Sequence, residues 1–248
     1  MDTDGIDRIT PTLRPRGRPI MRQRWSELGF LHWPVPAAAL RALLPGTLEV
    51  DTFEGQAWVG LVPFTITRSR FPPLPPLPLL GGFHEVNVRT YVHHGGREPG
   101  VWFFSLDAAS RLAVHGARAV YKLPYVHAAI EMDVGGGGAA QERVRYSSRR
   151  PDGAGVTLRY GPADVVRPAA PGTLAHFLAE RYTLYAARGP RLYRARVHHA
   201  AYPLQAGAAA VERETLLDAS GIARPEAAPL VHYAAAVDVE IWPPQRLA

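Results

Sequence analysis

The sequence predicts a single domain built mainly from β-strands, arranged as an antiparallel barrel or sandwich with a few helices around it. Short runs that alternate apolar and polar residues recur between residues 29 and 241, which is typical of strands. Only three segments have helical periodicity, so the alternating strand–helix order of Rossmann and TIM-barrel architectures is excluded. No internal repeat and no linker divides the chain into two units.

The composition is typical of a globular protein and argues against a membrane-spanning, secreted or disulfide-bonded one. The chain has 248 residues, a net charge of +6 and 47% hydrophobic residues, which is enough to bury a sizeable core. No run approaches the ~18 apolar residues of a membrane span, and the first 18 residues lack the apolar region of a secretory signal. We therefore expect a cytoplasmic protein without a membrane partner. Cysteine is absent, which excludes disulfides, thiolate metal sites and a cysteine nucleophile.

The first part of the chain is predicted as follows. Residues 1–20 are polar and rich in Arg and Pro, and we interpret them as a flexible basic arm preceding a single domain at 21–248. Pro36 opens a helix that extends to about residue 44. A second helix is expected over 108–121, ended by Pro124. Strands are expected at 29–33, 57–67, 84–92 and 100–106, with turns at 51–55 and 93–96.

The second part contains one predicted helix and six predicted strands. The helix covers 174–187, with Thr173 as its N-cap and Gly189 at its C-terminal stop. The strands are expected at 127–134, 143–146, 156–160, 194–199, 211–214 and 231–241, with a glycine-rich hairpin tip at 135–138.

Residues 71–78 contain five prolines, which forbid regular structure and favour an extended polyproline segment. Three interpretations stay open: a rigid surface loop, a lid over a pocket, or a docking ligand for a partner's aromatic groove.

The strand at 84–92 carries the most informative pattern. Alternation places Glu85, Asn87, Arg89 and Tyr91 on one face, and valines with Thr90 on the other. From alternation alone, a solvated polar row is the commoner arrangement in antiparallel sheets. The alternative is a polar row that lines the interior of a barrel.

The positions of Arg181 and Lys122 on their predicted helices indicate whether each cation is buried or exposed. On the predicted helix at 174–187, Arg181 falls in the middle of the apolar stripe, so it needs an acidic or carbonyl partner. It either forms a structural ion pair or anchors a substrate carboxylate, and the ion pair is the preferred interpretation. Lys122, the only lysine, lies on a cationic stripe with Arg111, His115 and Arg118, which indicates a solvated face.

Other chemistries have weaker support. His32, His127, His198 and His232 lie on predicted strands, but none has the spacing of a known metal motif, so we predict no metal and no cofactor. No G-x-S-x-G elbow and no phosphate-binding glycine loop is present. The arginines are scattered and no nucleic-acid-binding motif occurs, so we expect no nucleic-acid partner.

Several blocks together resemble a known family: W-S-E-L at 25–28, H-W-P-V at 32–35, G-Q-A-W-V-G at 55–60, E-V-N-V-R-T-Y at 85–91, F-S-L-D at 104–107 and L-P-Y at 123–125. They resemble the YqjF-like family of bacterial proteins, within the acetoacetate-decarboxylase-like superfamily, over about residues 22–242. The resemblance implies an acetoacetate-decarboxylase-like β-barrel with a central cone-shaped cavity. It also places Glu85 in that cavity, which favours the inward orientation of the polar row.

The resemblance bears on mechanism as well. In the decarboxylase, the Schiff-base lysine directly follows the proline that matches Pro124, and a second lysine follows it. Here those positions are Tyr125 and Val126, so we predict that Schiff-base decarboxylation is absent. We expect Glu85, Arg89 and Tyr125 to be the catalytic residues.

The remaining candidates are expected to bind substrate: Asn87, Tyr91, Arg181, His32 and His127. The expected function is binding of a small organic acid or ketone, with proton-transfer chemistry of the lyase or isomerase type. The alternative is a non-catalytic small-molecule binding protein. The sequence leaves a homo-oligomer open.

Overall fold

The computed structural model describes residues 5–74, 82–135 and 142–247. In chain order, the strands span Met21–Val35 (β1), Glu49–Val50 (β2), Ala57–Arg70 (β3), Phe83–His94 (β4), Arg97–Ala108 (β5), Tyr125–His127 (β6), Ala129–Val134 (β7), Val144–Arg149 (β8), Gly155–Pro162 (β9), Thr183–Arg188 (β10), Arg191–His198 (β11), Leu204–Glu214 (β12), Leu230–Ile241 (β13) and Gln245–Arg246 (β14). The α-helices are Ala37–Arg41 (α1), Arg111–Tyr121 (α2), Leu174–Ala179 (α3) and Leu216–Ala219 (α4), with a 3₁₀ turn at Thr10–Thr12. The mainly β class is confirmed.

Seven strands follow one another in a ring of pairings: β11, β10, β5, β4, β3, β1 and β13. The last of them returns to the first, since β13 pairs with β11 through Val197 opposite Ile241. The strands β12, β9, β8 and β7 continue from β13 as a second sheet. The pairings are not all antiparallel, because β5 pairs in parallel with both β10 and β6. The other strand pairings are antiparallel, as expected.

The second sheet covers one face of the ring. Val86 and Val88 of β4 pack in one core cluster with residues of β8 and β9, including Tyr146, Leu158 and Tyr160. The opposite face of β4 carries Glu85, Asn87 and Arg89 into the interior of the ring. Both faces of this strand are therefore buried, and the polar row is not a solvated face.

The predicted helix at 174–187 was wrong in its second half. Thr173 caps the helix as expected, with its side chain accepting from the backbone N–H of His176. The helix ends at Ala179, however, and the chain continues as β10, which hydrogen-bonds to β5 and β11. Strand partners on both sides satisfy the backbone there, and this tertiary pairing overrides the local helical pattern.

Helix α2 begins three residues later than predicted. Residues up to Ala108 belong to β5, which pairs with β4 along its length. Ser110 then caps the helix, with its hydroxyl oxygen accepting from the backbone N–H of Ala113.

The described part of the N-terminal segment contacts the domain at several points. The buried Arg8 side chain pairs with Asp51, and Arg14 pairs with Glu240. The backbone N–H of Ile20 donates to the carbonyl of Ile241. These contacts hold Arg8 against the connection between β2 and β3, and hold Arg14 and Ile20 against the end of β13.

Two predicted loops lie partly outside the described residues. Of the proline-rich segment at 71–78, residues 71–74 are described, and Phe71 lies at the edge of the central pocket. Of the glycine-rich tip at 135–138, Gly135 is described. Among the described residues, no helix has the length and apolar character needed to cross a membrane.

Candidate functional site

The interior of the strand ring contains a pocket of about 420 Å³. Side chains that point inward from neighbouring strands form its walls, and the pairing of the strands places them opposite one another. Phe64 of β3 lies opposite Glu85, and Val62 lies opposite Asn87. On the other side of β4, Leu106 lies opposite Asn87 and Phe103 opposite Arg89. The walls are therefore apolar, and the charged and polar groups come chiefly from β4.

Glu85 and Tyr125 form a pair at one end of the pocket. Tyr125 is placed there because β6 pairs in parallel with the end of β5, where Leu106 lies opposite Tyr125. Its hydroxyl donates to Oε2 of Glu85 at 2.8 Å. The Glu85 side chain is only 2% exposed, and no cation forms an ion pair with it within the described residues.

The electrostatics make Glu85 a candidate acid or base. The pKa of Glu85 is raised from 4.5 to about 8, chiefly by burial and in smaller part by the nearby Asp107. Hydrogen bonds from Tyr125 and Asn87 oppose this rise in pKa. The pKa of Tyr125 is raised well above its usual value by burial and by Glu85, so the phenol stays protonated. A carboxyl group with a pKa near neutrality can both donate and accept a proton.

Arg89 lies further along β4, where it and Arg181 are both buried, and we call this end of the pocket the closed end. Its Nη2 donates to the backbone carbonyl of Leu178 at 3.0 Å and to Oη of Tyr91 at 3.5 Å. Its Nε is buried without a hydrogen-bond partner, and no carboxylate pairs with it in the part of the chain that the structure describes. A buried guanidinium without a counter-ion is costly unless an anion joins it.

Arg181 lines the same end of the pocket but has a carboxylate partner. Its Nη1 donates to Oδ2 of Asp51 at 2.7 Å, and its Nε donates to the carbonyl of Phe177. Arg8 pairs with the other oxygen of Asp51. The preferred interpretation of Arg181 as a structural ion pair is consistent with this geometry. Its Nη2 is buried without a hydrogen-bond partner.

Tyr91 and His32 lie behind Arg89 and do not line the pocket. The Tyr91 hydroxyl donates to the Leu178 carbonyl at 2.7 Å, so His32 Nε2, at 2.6 Å, donates to the Tyr91 oxygen. Burial, together with Arg89, lowers the pKa of His32 well below its usual value, which keeps the ring neutral. The two residues hold the Arg89 guanidinium in place rather than facing a ligand.

The other substrate-binding predictions divide in the same way. Asn87 lines the pocket between Glu85 and Arg89, and its Oδ1 is buried without a hydrogen-bond partner. His127, at the end of β6, does not line the pocket. Of the eight candidate residues, the structure brings five together around the pocket: Glu85, Asn87, Arg89, Tyr125 and Arg181.

The only lysine lies outside the pocket lining. Lys122 caps the C-terminus of α2 with a left-handed backbone, and its Nζ donates to the Ala119 carbonyl. Helix α2 turns its apolar residues toward the pocket, with Ala113 and Ala117 facing inward. Leu112 and Val120, on the same face, are 50% and 48% exposed, so the helix forms a loose cover over the pocket.

Sequence reasoning missed two further features. Asp107, which is fully buried, receives two hydrogen bonds from Arg150, from Nε and Nη2, each at 2.7 Å. Burial raises the pKa of Asp107, and the hydrogen bonds and charge of Arg150 oppose that rise. Tyr202 also lines the pocket; burial raises its pKa, and the charge of Arg89 opposes that rise. Nothing in the sequence pattern marks Arg150 or Tyr202, because their partners lie far away in the chain.

The four histidines on strands do not converge. Within residues 5–74, 82–135 and 142–247, no group of three or more His, Asp or Glu side chains is arranged to hold a metal ion. His232 lies opposite Phe30, two residues from His32, and is close enough to contribute, after burial and Arg89, to the lowered pKa of His32.

Comparison with solved structures identifies the fold. An acetoacetate decarboxylase-like enzyme from Sphingomonas wittichii RW1 matches with a TM-score of 0.63 at 16% identity, covering 95% of this chain and 98% of that chain. The enduracididine biosynthesis enzyme MppR, complexed with the condensation product of pyruvate and imidazole 4-carboxaldehyde, matches at 0.63 and 14%, covering 94% and 91%. The acetoacetate decarboxylase of Legionella pneumophila matches at 0.62 and 13%, covering 95% and 92%. The acetoacetate-decarboxylase-like fold is confirmed.

Sequence comparison identifies the family. The uncharacterized protein YqjF of Bacillus subtilis (strain 168) is 42% identical over 231 residues, covering 92% of this chain and 93% of that protein. The family model DUF2071, described as an uncharacterized conserved protein, matches residues 22–238. The resemblance expected from the sequence blocks is confirmed, and the chain belongs to the DUF2071 family, which includes YqjF-like proteins.

Proposed function

We propose that the central pocket binds an organic acid or ketone and transfers a proton on it, as an isomerase or lyase that forms no Schiff base. The observation that carries the proposal is the environment of Glu85. It is a buried carboxyl group in an apolar pocket, bonded to a phenol and without a cationic partner among the described residues. A glutamate held by a full ion pair would suit ligand binding alone, whereas this environment suits proton transfer.

The proposed step begins with ionised Glu85. The carboxylate takes a proton from a carbon next to a carbonyl group of the ligand, and the electron pair moves to the carbonyl oxygen, giving an enolate. Tyr125, which keeps its proton, donates a hydrogen bond to Glu85 and holds the carboxylate in place for this step. When the ligand has a second carbon that is conjugated with the enolate, returning the proton from Glu85 to that carbon completes an isomerisation. Expelling a leaving group from the neighbouring carbon completes a lyase reaction.

Arg89 supports an acidic ligand. Its charge is buried at the end of the pocket, and the structure gives it carbonyl and phenol partners but no carboxylate among the described residues. A ligand carboxylate would supply the missing counter-charge and accept from the free Nε.

We do not expect this chain to catalyse the Schiff-base decarboxylation of the acetoacetate decarboxylases that share its fold. Tyr125 stands where the resemblance places the Schiff-base lysine, and a phenol does not form an imine. Lys122 lies at the end of α2, where its Nζ is bonded to a helix carbonyl.

A second candidate function is a non-catalytic binding protein for an acidic ligand. The observation that favours it is the predominantly apolar lining of the pocket, together with the unpaired Arg89. This function predicts tight binding without any exchange of ligand protons.

We further propose that the protein acts in the cytoplasm, that its partner is a small molecule, and that it does not bind nucleic acid. In support of the last point, several surface arginines are already engaged in ion pairs: Arg14 and Arg22 with Glu240, Arg24 with Asp238, and Arg143 with Glu27.

The test is hydrogen–deuterium exchange into ligands. Ketones and keto acids of graded length are incubated with the protein in D₂O, and loss of the signals next to the carbonyl is followed by proton NMR. We expect accelerated exchange with the native protein and at least about a hundredfold less with Glu85→Gln. The matched control is Glu131→Gln, which changes an exposed glutamate of β7.

The outcomes separate the two functions. Exchange that persists in Glu85→Gln would overturn the assignment of Glu85. Binding of an acid without any exchange across the panel would overturn catalysis and favour the binding protein.

A further inference from the structure

We infer that the ligand of this pocket is an elongated carboxylic acid, with its carboxylate at Arg89 and an apolar chain of on the order of ten bonds that reaches Glu85 and the underside of α2. The inference rests on the proposed function in taking Arg89 as the anion site. It adds the class of acid, which the proposed function leaves open.

The first argument is the distance between the two polar ends. Glu85 and Arg89 lie on the same face of β4, four residues apart, so their Cα atoms are separated by ~13 Å at about 3.3 Å per residue. The Arg89 guanidinium turns further away, since it bonds to Tyr91 and Leu178. A three- or four-carbon keto acid is too short to touch both groups at once.

The electrostatics agree with this separation. The charged group that acts on Glu85 is Asp107. Arg89 acts instead on the groups around the closed end: His32, Tyr91, His199 and Tyr202. The pocket therefore has two polar ends with separate environments.

The second argument is the surface between those ends. Apolar side chains from three strands line it: Leu28 and Phe30 from β1, Val62 and Phe64 from β3, and Phe103 and Leu106 from β5. Asn87 is the polar side chain that β4 places between Glu85 and Arg89. A chain of methylene groups is complementary to such a surface, because each buried methylene is removed from water without leaving a polar group unpaired.

The third argument is volume. At about 30 Å³ per water-sized group, the 420 Å³ pocket holds about 14 non-hydrogen groups. Pyruvate or acetoacetate would fill about half of it and leave the apolar walls wet. An acid of about ten to twelve carbons fills the space between the closed end and α2.

Helix α2 provides the cover for the far end of the chain. It presents small side chains, Ala113 and Ala117, to the pocket, and leaves room beneath them. Leu112 and Val120 on the same face are half-exposed and border the opening. Replacing Ala117 by leucine would occupy that space while keeping a residue of good helix propensity.

The experiment is isothermal titration of the intact protein with straight-chain carboxylates from butanoate to dodecanoate, below their micelle concentrations, beside the matching alcohols. We expect affinity to rise about fourfold for each added methylene, until the chain reaches about ten carbons, where the rise stops. Affinity that does not change with chain length between butanoate and decanoate would overturn the inference.

Two variants separate this inference from the proposed function. Arg89→Met should weaken the binding of decanoate at least about tenfold and leave the binding of decanol unchanged. The anion site would be overturned if the variant bound both ligands as well as the native protein does, or weakened both equally. The dependence of affinity on chain length would still stand in that case. Ala117→Leu should weaken decanoate and dodecanoate but not butanoate, relative to the control Ala119→Leu on the exposed face of α2. Equal affinities in the two helix variants would overturn the placement of the chain under α2.

Discussion

Glu85 gives the most direct physical prediction, because its proton is tied to folding. Burial raises its pKa from 4.5 to about 8, so between these two pH values the folded protein holds a proton that the unfolded chain releases. The stability that this proton contributes is complete below about pH 4.5 and is lost as the pH rises through about 8. The shift in pKa corresponds to a loss on the order of 5 kcal/mol, at about 1.4 kcal/mol per pH unit.

The variant Glu85→Gln keeps the shape of the protonated side chain and removes its titration. We expect the two proteins to have similar free energies of unfolding near pH 5. The variant should then become the more stable one, by about 1.4 kcal/mol per pH unit up to pH 8. Urea denaturation at pH 5, 6, 7, 8 and 9, at constant ionic strength, gives the difference directly, since all other titrating groups are common to both proteins.

The control is Glu131→Gln, which removes a glutamate from the exposed edge strand β7 and should show no comparable change in slope. A difference between Glu85→Gln and the native protein that stays constant from pH 5 to 9 would refute the reasoning. It would mean that Glu85 is ionised when folded, and the argument for an acid–base role would fail with it.

Three further predictions concern other parts of the structure. Asp107→Asn leaves the Arg150 guanidinium buried without its carboxylate and should cost about 3–5 kcal/mol in urea denaturation at pH 7; a loss under about 1 kcal/mol would contradict the buried pair. Gly116→Ala should stabilise the protein by about 1 kcal/mol, because the residue lies on a helix and the added Cβ would meet nothing within 4 Å. Gly100→Ala should destabilise the protein by about 1–3 kcal/mol, because the added Cβ would lie 2.5 Å from the Thr183 carbonyl oxygen. Thermal shifts of the same sign in both would be inconsistent with this packing. Borohydride treatment with acetoacetate or pyruvate should leave no adduct on Lys122 by mass spectrometry, and an adduct there would restore Schiff-base chemistry.

The strand β4 shows what the local sequence pattern can predict and what it cannot. Alternation correctly grouped Glu85, Asn87 and Arg89 on one face, because successive side chains of any strand point to opposite sides. It did not determine which face was interior. That depended on the second sheet, which covers Val86 and Val88 from residues more than 50 positions away in the chain.

Arg181 shows the opposite case. The pattern indicated correctly that this arginine lies among apolar residues, and the expected acidic partner is present. The helix on which the prediction rested ends before it, at Ala179. The partner, Asp51, lies 130 residues away, and no local spacing could identify it.

The sequence by itself determined the mainly β class, the family, the N-cap of α3 and the absence of a lysine after Pro124. These depend on periodicity, on hydrogen bonds between near neighbours and on residue identity, all of which are local. Only the tertiary structure decided which strands pair to form the ring, that Arg89 lacks a carboxylate partner among the described residues, and that the pKa of Glu85 is raised. Burial and charge at a residue are set by segments that fold against it from elsewhere in the chain, so their effects appear only once those segments are in place.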